Sequence, residues 1–150
     1  MNRVIAAVFV LLGAGCIEDI EPDVGPLTVQ QCSNADTDPE VDVSFSADVV
    51  PILASAEINC VRCHTPTGET PIGLQASGFD VSTFDTLRAG GRRSGPDIVI
   101  PGSPCESILL QKIAGTAGFG ARMPLGGPPF VSPEDFALIS DWVAEGALEN

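Results

Sequence analysis

The residues with most chemistry to offer are Cys60, Cys63 and His64, which stand together in N-C-V-R-C-H-T-P. His64 is the chain's single histidine. Cysteines at i and i+3 on one helical turn present both sulfurs on the same side. Two thiols so placed can each form a thioether with a vinyl group of haem. An imidazole next in sequence then falls beneath the iron as an axial ligand. C-x-x-C-H is the c-type haem attachment signature. With this composition the pattern arises by chance in about one such chain in a thousand, so its presence carries weight.

Three other chemistries use such residues. A thioredoxin-like C-x-x-C needs a βαβ context, and no strand pattern surrounds these cysteines. A zinc site needs four ligands, two of which would have to come from Cys32 and Cys105 or from carboxylates. A disulfide between Cys60 and Cys63 closes a very tight loop and leaves His64 without a role.

A six-coordinate haem needs a ligand on its other face, usually Met or a second His. There is no second His, and Met1 belongs to a removable leader, so Met123 is the candidate. It stands in G-A-R-M-P-L-G-G-P-P-F, a loop sequence that can carry a thioether up to the iron and that Pro124 stiffens. The competing use is a core methionine filling a gap, but core methionines favour helices and strands.

These residues need a scaffold, and the composition bounds it. A chain of 150 residues allows one domain and a tail. It has seven Phe, one Trp and no Tyr, enough for a small core to which a covalent macrocycle would add apolar surface. Sixteen Gly and thirteen Pro predict short helices joined by many turns. The formal net charge of −13 argues against nucleic-acid binding, which wants a basic face. It argues equally against electrostatic adhesion to anionic lipid, and it suits a redox partner with a basic docking face.

Residues 1–15 read as an export signal: Arg3, an apolar run from Val4 to Leu12, then small residues. The run is too short to span a bilayer. L-G-A-G-C at its end resembles a bacterial lipobox, departing from it at Gly13, and the resemblance implies Cys16 as the lipidated residue of a cell-envelope lipoprotein, the alternative being ordinary cleavage nearby that releases a soluble protein with a free thiol. Ile17 after the cysteine favours the outer membrane by resemblance to sorted lipoproteins. Residues 16–43 form the anchored linker; its stretch 17–43 carries eight acidic residues and no basic one. Leu27–Gln31 is a candidate short edge strand.

The domain is expected over 44–150 and mainly α. In 44–56, Phe45, Val49 and Ile52 share one helical face, Ser44 or Ser46 caps it, and Pro51 divides it. Helices are also predicted at 82–89, at 104–114, and at 133–145 with Ser132 as N-cap and Pro133 at N1. The last buries Phe136, Ile139, Trp142 and Val143.

Taken together, F-S-A-D-V-V-P-I-L, C-V-R-C-H, I-P-G-S-P-C-E-S-I-L-L-Q-K-I, G-A-R-M-P-L-G-G and D-W-V-A-E-G-A resemble a mono-haem class I cytochrome c, nearest to the small planctomycete-type domains. The resemblance runs from Phe45 to Ala147. It implies one covalent haem c with thioethers at Cys60 and Cys63, His64 as proximal and Met123 as distal ligand, and crossing first and last helices. Phe45 and Val49 would then meet Phe136, Ile139 and Trp142.

Lipid and haem leave Cys32 and Cys105, an even remainder that in an exported protein suggests a disulfide, the alternative being two unpaired thiols. Arg92, Arg93 and Arg122 are candidates to meet haem propionates, or else a solvated loop. The expected function is single-electron transfer, with no catalytic residue. A displaceable Met123 would instead give a haem peroxidase or gas-binding sensor, although no distal His serves that chemistry. A surface module stapled by haem is the third alternative.

Overall fold

A computed structural model describes residues 32–150. The export signal, Cys16 and Leu27–Gln31 lie outside the described residues. Among the described residues the regular structure is helical, with no strand.

The chain enters on a π-helical turn, Phe45–Val49, capped by Ser44, whose hydroxyl accepts from the Ala47 amide at 3.1 Å. It tightens into α1, Val50–Ala54, with Pro51 in the first turn, where its missing N–H costs nothing. The proline thus divides the segment, and the helix ends at Ala54, two residues before the expected boundary. After α1 come α2 (Cys60–His64), α3 (Ile72–Ser77), α4 (Phe84–Ala89), α5 (Ile108–Ala114) and α6 (Pro133–Ala144).

Local chemistry explains several boundaries. Thr83 and Thr86 form a reciprocal capping box that starts α4 at Phe84. The segment predicted as one helix from Pro104 is two pieces, a 3₁₀ turn Pro104–Glu106 and α5. Ser107 separates them. It is fully buried and extended, its hydroxyl donates to the Ser103 carbonyl at 2.9 Å, and it accepts from the Ile100 amide at 2.8 Å. A buried hydroxyl with partners on both sides competes with helix continuity. Ser132 caps α6 by accepting from the Asp135 amide at 3.0 Å.

The core lies where the entry turn meets α6. Phe45 stands 5.3 Å from Trp142 and 5.2 Å from Phe84, ring centre to ring centre, while Phe84 and Trp142 are 6.5 Å apart. Trp142 is fully buried and its indole N–H finds the Leu148 carbonyl at 2.9 Å. Phe136, Ile139, Val143, Val49 and Leu87 are buried around the same centre. Truncating one large aromatic in such a core costs about 3–5 kcal/mol.

Residues 32–43 lie as a strap across this core. Cys32 is disulfide-bonded to Cys105, with Cα atoms 5.4 Å apart. The Asn34 side chain accepts from the Cys105 amide at 2.8 Å. Thr37 donates its amide and hydroxyl to Asp141, and the Val43 amide donates to Glu145 at 2.8 Å. Val43 itself is buried.

Candidate functional site

α2 holds Cys60, Cys63 and His64 in a single turn and a half. Five residues rarely stand as a helix unaided, because nucleation fixes several dihedrals for one hydrogen bond. Asn59 supplies the nucleus: it sits in the left-handed region (φ 44°) and its side chain accepts from the Arg62 amide at 3.2 Å. Asn tolerates this region better than most residues. Both cysteines are free thiols and partly buried. Burial pushes the Cys60 thiol up to about 11, and nearby Cys63 adds to the rise against a backbone hydrogen bond.

His64 is oriented by a backbone partner. Its Nδ1 lies 3.1 Å from the Phe79 carbonyl oxygen, and the Phe79 ring stands edge-on at 5.4 Å. A carbonyl can only accept, so Nδ1 carries the proton and Nε2 keeps its lone pair. Burial lowers the imidazole pKa against the opposing pull of the Phe79 carbonyl and Asp80, which favours the neutral ring. A neutral imidazole with a donor bond on its other nitrogen is the state of a metal ligand.

The loop after α2 folds back so that α3 passes beside this ring. A β-carbon at Gly73 would stand 2.6 Å from His64 Nε2 and 2.9 Å from the Cys63 carbonyl oxygen. Only glycine permits that approach. The Val81 amide closes the loop on the His64 carbonyl at 2.8 Å. Gly73 and Phe79 escaped the sequence reading. A glycine inside a predicted loop and a carbonyl acceptor leave no distinctive pattern, although Gly73 ahead of an apolar residue is the kind of position where close approach can be suspected.

Met123 lies on the loop after α5, half-buried, with its amide donating to the Lys112 carbonyl at 2.9 Å. Among the described residues no hydrogen bond, ion pair or ring contact joins Met123 to His64. The same loop is held by cations. Lys112 donates to the carbonyls of Phe119 and Ala121, and Arg122 Nε donates to the Ile113 carbonyl at 2.9 Å while its guanidinium lies 3.8 Å from the Phe130 ring centre. Burial, and then Arg93, lower the Lys112 ammonium pKa from its ordinary value. Arg92 donates to the Gln75 and Ala76 carbonyls at the end of α3, and Arg93 stacks on Phe119 at 4.4 Å. Arg88 was missed in the sequence: its Nη1 is buried without a partner, a donor that an anionic group would satisfy.

Zinc is a poor occupant for this site, because among the described residues no three His, Cys, Asp or Glu side chains gather where a metal ion could be held. Residues 60–124 match the family model described as Planctomycete cytochrome C, and the match opens on Cys60 and closes just after Met123. This segment is a planctomycete-type cytochrome c domain. Such domains bind haem and serve electron transfer. No curated protein and no solved structure matches the chain. The donor set of the cytochrome c domain also fits haem: two free thiols on one helical turn and an imidazole whose Nδ1 bond leaves the Nε2 lone pair free.

Proposed function

We propose that this cytochrome c domain carries single electrons through one covalent haem c, held by thioethers to Cys60 and Cys63 and ligated axially by His64 and Met123. The observation that carries the proposal is the His64 imidazole, fixed through Nδ1 to the Phe79 carbonyl with Nε2 left as the donor, on the same short helix as two free thiols. Bound haem iron would supply the one-electron Fe(III)/Fe(II) couple.

The protein's own residues define how that couple behaves. His64 offers its lone pair without first losing a proton. Met123 offers a soft thioether, which favours the reduced metal and raises the potential. If His64 and Met123 both held the iron, no coordination position would be left for a substrate, which would favour electron transfer over turnover. Outside the domain, lipid on Cys16 would hold the protein at a membrane surface in the cell envelope. The part of the acidic stretch ahead of Cys32 would serve as spacer, and a redox partner with a basic face would complement the net charge of −13.

Two measurements on the exported protein test the reading. A pyridine haemochrome spectrum of denatured protein should give the signature of a haem with both vinyl groups saturated, and the Cys60→Ala, Cys63→Ala double variant should lose it. Potentiometric titration should then give a reversible one-electron wave. Haem that washes out under denaturation would refute the attachment, and steady peroxide turnover without a reversible wave would favour an enzyme.

A further inference from the structure

The segment from Thr116 to Met123 folds around one lysine. Lys112 lies on α5, where an exposed lysine would normally extend into water. Here its ammonium turns under the loop and donates to the carbonyls of Phe119 and, at 3.2 Å, Ala121. Its own carbonyl accepts from the Met123 amide at 2.9 Å. The ammonium also sits 4.7 Å from the centre of the Phe119 ring, which Arg93 covers at 4.4 Å. Gly120 has φ +64°, and a β-carbon there would stand 2.6 Å from Lys112 Nζ, so the loop's tip is shaped to admit the ammonium. No carboxylate pairs with Lys112 among the described residues. The charge is therefore spent on backbone carbonyls.

We propose that Lys112 is a positioning residue for Met123: its ammonium gathers the Phe119 and Ala121 carbonyls while its main-chain carbonyl holds the Met123 amide, so one residue fixes the loop at three points leading up to the thioether. The inference rests on the reading of Met123 as an axial ligand. The loop sequence G-T-A-G-F-G-A-R-M-P is too rich in glycine to hold one conformation by itself. Charge-assisted bonds to two carbonyls are roughly twice as strong as neutral ones, which suits them to the task. Lys112 touches the loop and not the iron, so its effect must appear in how well Met123 competes for the metal.

The experiment uses the haem-loaded protein and reads imidazole binding to the oxidised form, together with the near-infrared sulfur-to-iron charge-transfer band. Lys112→Leu keeps the apolar stem and removes the donors. It should weaken the band and raise imidazole affinity about tenfold, the worth of one charge-assisted hydrogen bond. Lys112→Arg, which can still reach carbonyls, should restore both. Full band and unchanged imidazole affinity in Lys112→Leu would overturn the positioning role. Should that variant fail to fold, Lys112→Gln, whose shorter neutral side chain gives up the charge-assisted bonds, decides: a weakened band supports the proposal and an unchanged one overturns it. A wild-type protein without the band would instead remove the Met123 reading itself, and the proposal with it.

Discussion

The helix that carries His64 spans five residues, and what fixes it lies close by in sequence: the Asn59 cap, the Phe79 carbonyl fifteen residues on, and Gly73 between them. The loop that carries Met123 has no regular structure, and it is fixed by long side chains from α5, from the loop itself and from the Arg92–Arg93 turn. One side of the proposed iron site is thus built from a motif, the other from cations that satisfy backbone carbonyls. The difference teaches where tolerance lies. On the His64 side a single β-carbon at Gly73 would meet the imidazole and the Cys63 carbonyl at once, with little room to give. On the Met123 side a lost donor loosens the loop without blocking anything.

Gly73→Val should break the His64 side alone. The added side chain meets His64 Nε2 and the Cys63 carbonyl, so haem staining of denatured protein should fall to background while circular dichroism keeps its helical signal. Normal haem loading would show that α3 moves freely and that the closeness of Gly73 is incidental.

The disulfide sharpens the comparison from the other side. It joins Cys32 to the turn before α5, closing 73 residues of chain, and a cross-link of that span contributes about 4 kcal/mol in the chain-entropy account. The Cys32→Ser, Cys105→Ser variant should unfold at markedly lower denaturant while its haem stain is unchanged. Equal midpoints for the two proteins would mean the strap is held by its hydrogen bonds to Asp141 and Glu145 alone.

Ser132→Ala removes the hydroxyl that accepts from the Asp135 amide at the start of α6. It should cost about 1 kcal/mol, with no change at the haem. A loss several times larger would show that Ser132 does more than cap.

The smallest effect concerns pH. Burial raises the Glu145 pKa, against the Val43 amide bond and with help from Asp36, Asp42 and Asp141, and one carboxylate oxygen is buried without a partner. A carboxyl with a folded pKa above its unfolded value binds more protons when folded, so stability falls as pH rises through that window. Glu145→Gln should therefore stabilise the protein at neutral pH and flatten its stability between mildly acidic and neutral conditions. A steeper slope in the variant would contradict the assignment.

What could be read from the sequence follows the same division. C-x-x-C-H is local, rare and tied to one helical turn, so Cys60, Cys63 and His64 stood out at once. The α6 helix was legible for the same reason, with Ser132, Pro133 and an apolar stripe all in order. The break at Ser107 was not, since it depends on a buried hydroxyl meeting the Ile100 amide across a turn. α3 carries neither a side-chain cap nor a buried stripe and left no pattern to read. The Lys112 contacts were invisible for a deeper reason: every residue offers a carbonyl, so a lysine that seeks two of them has no complementary residue to betray it. The acidic stretch 17–43 read as one solvated linker, yet its described part, residues 32–43, lies along the domain, because Val43 is apolar and Asp141 and Glu145 accept the strap's N–H groups.

The central claim is a haem ligated by His64 on one face and Met123 on the other. Near-infrared absorption of the oxidised, exported protein, compared with Met123→Ala, tests it most directly. The wild type should show the weak sulfur-to-iron band, and the variant should lose it, with a lower potential and an iron open to small ligands. A band and potential that survive Met123→Ala would contradict the account and leave Met123 as packing.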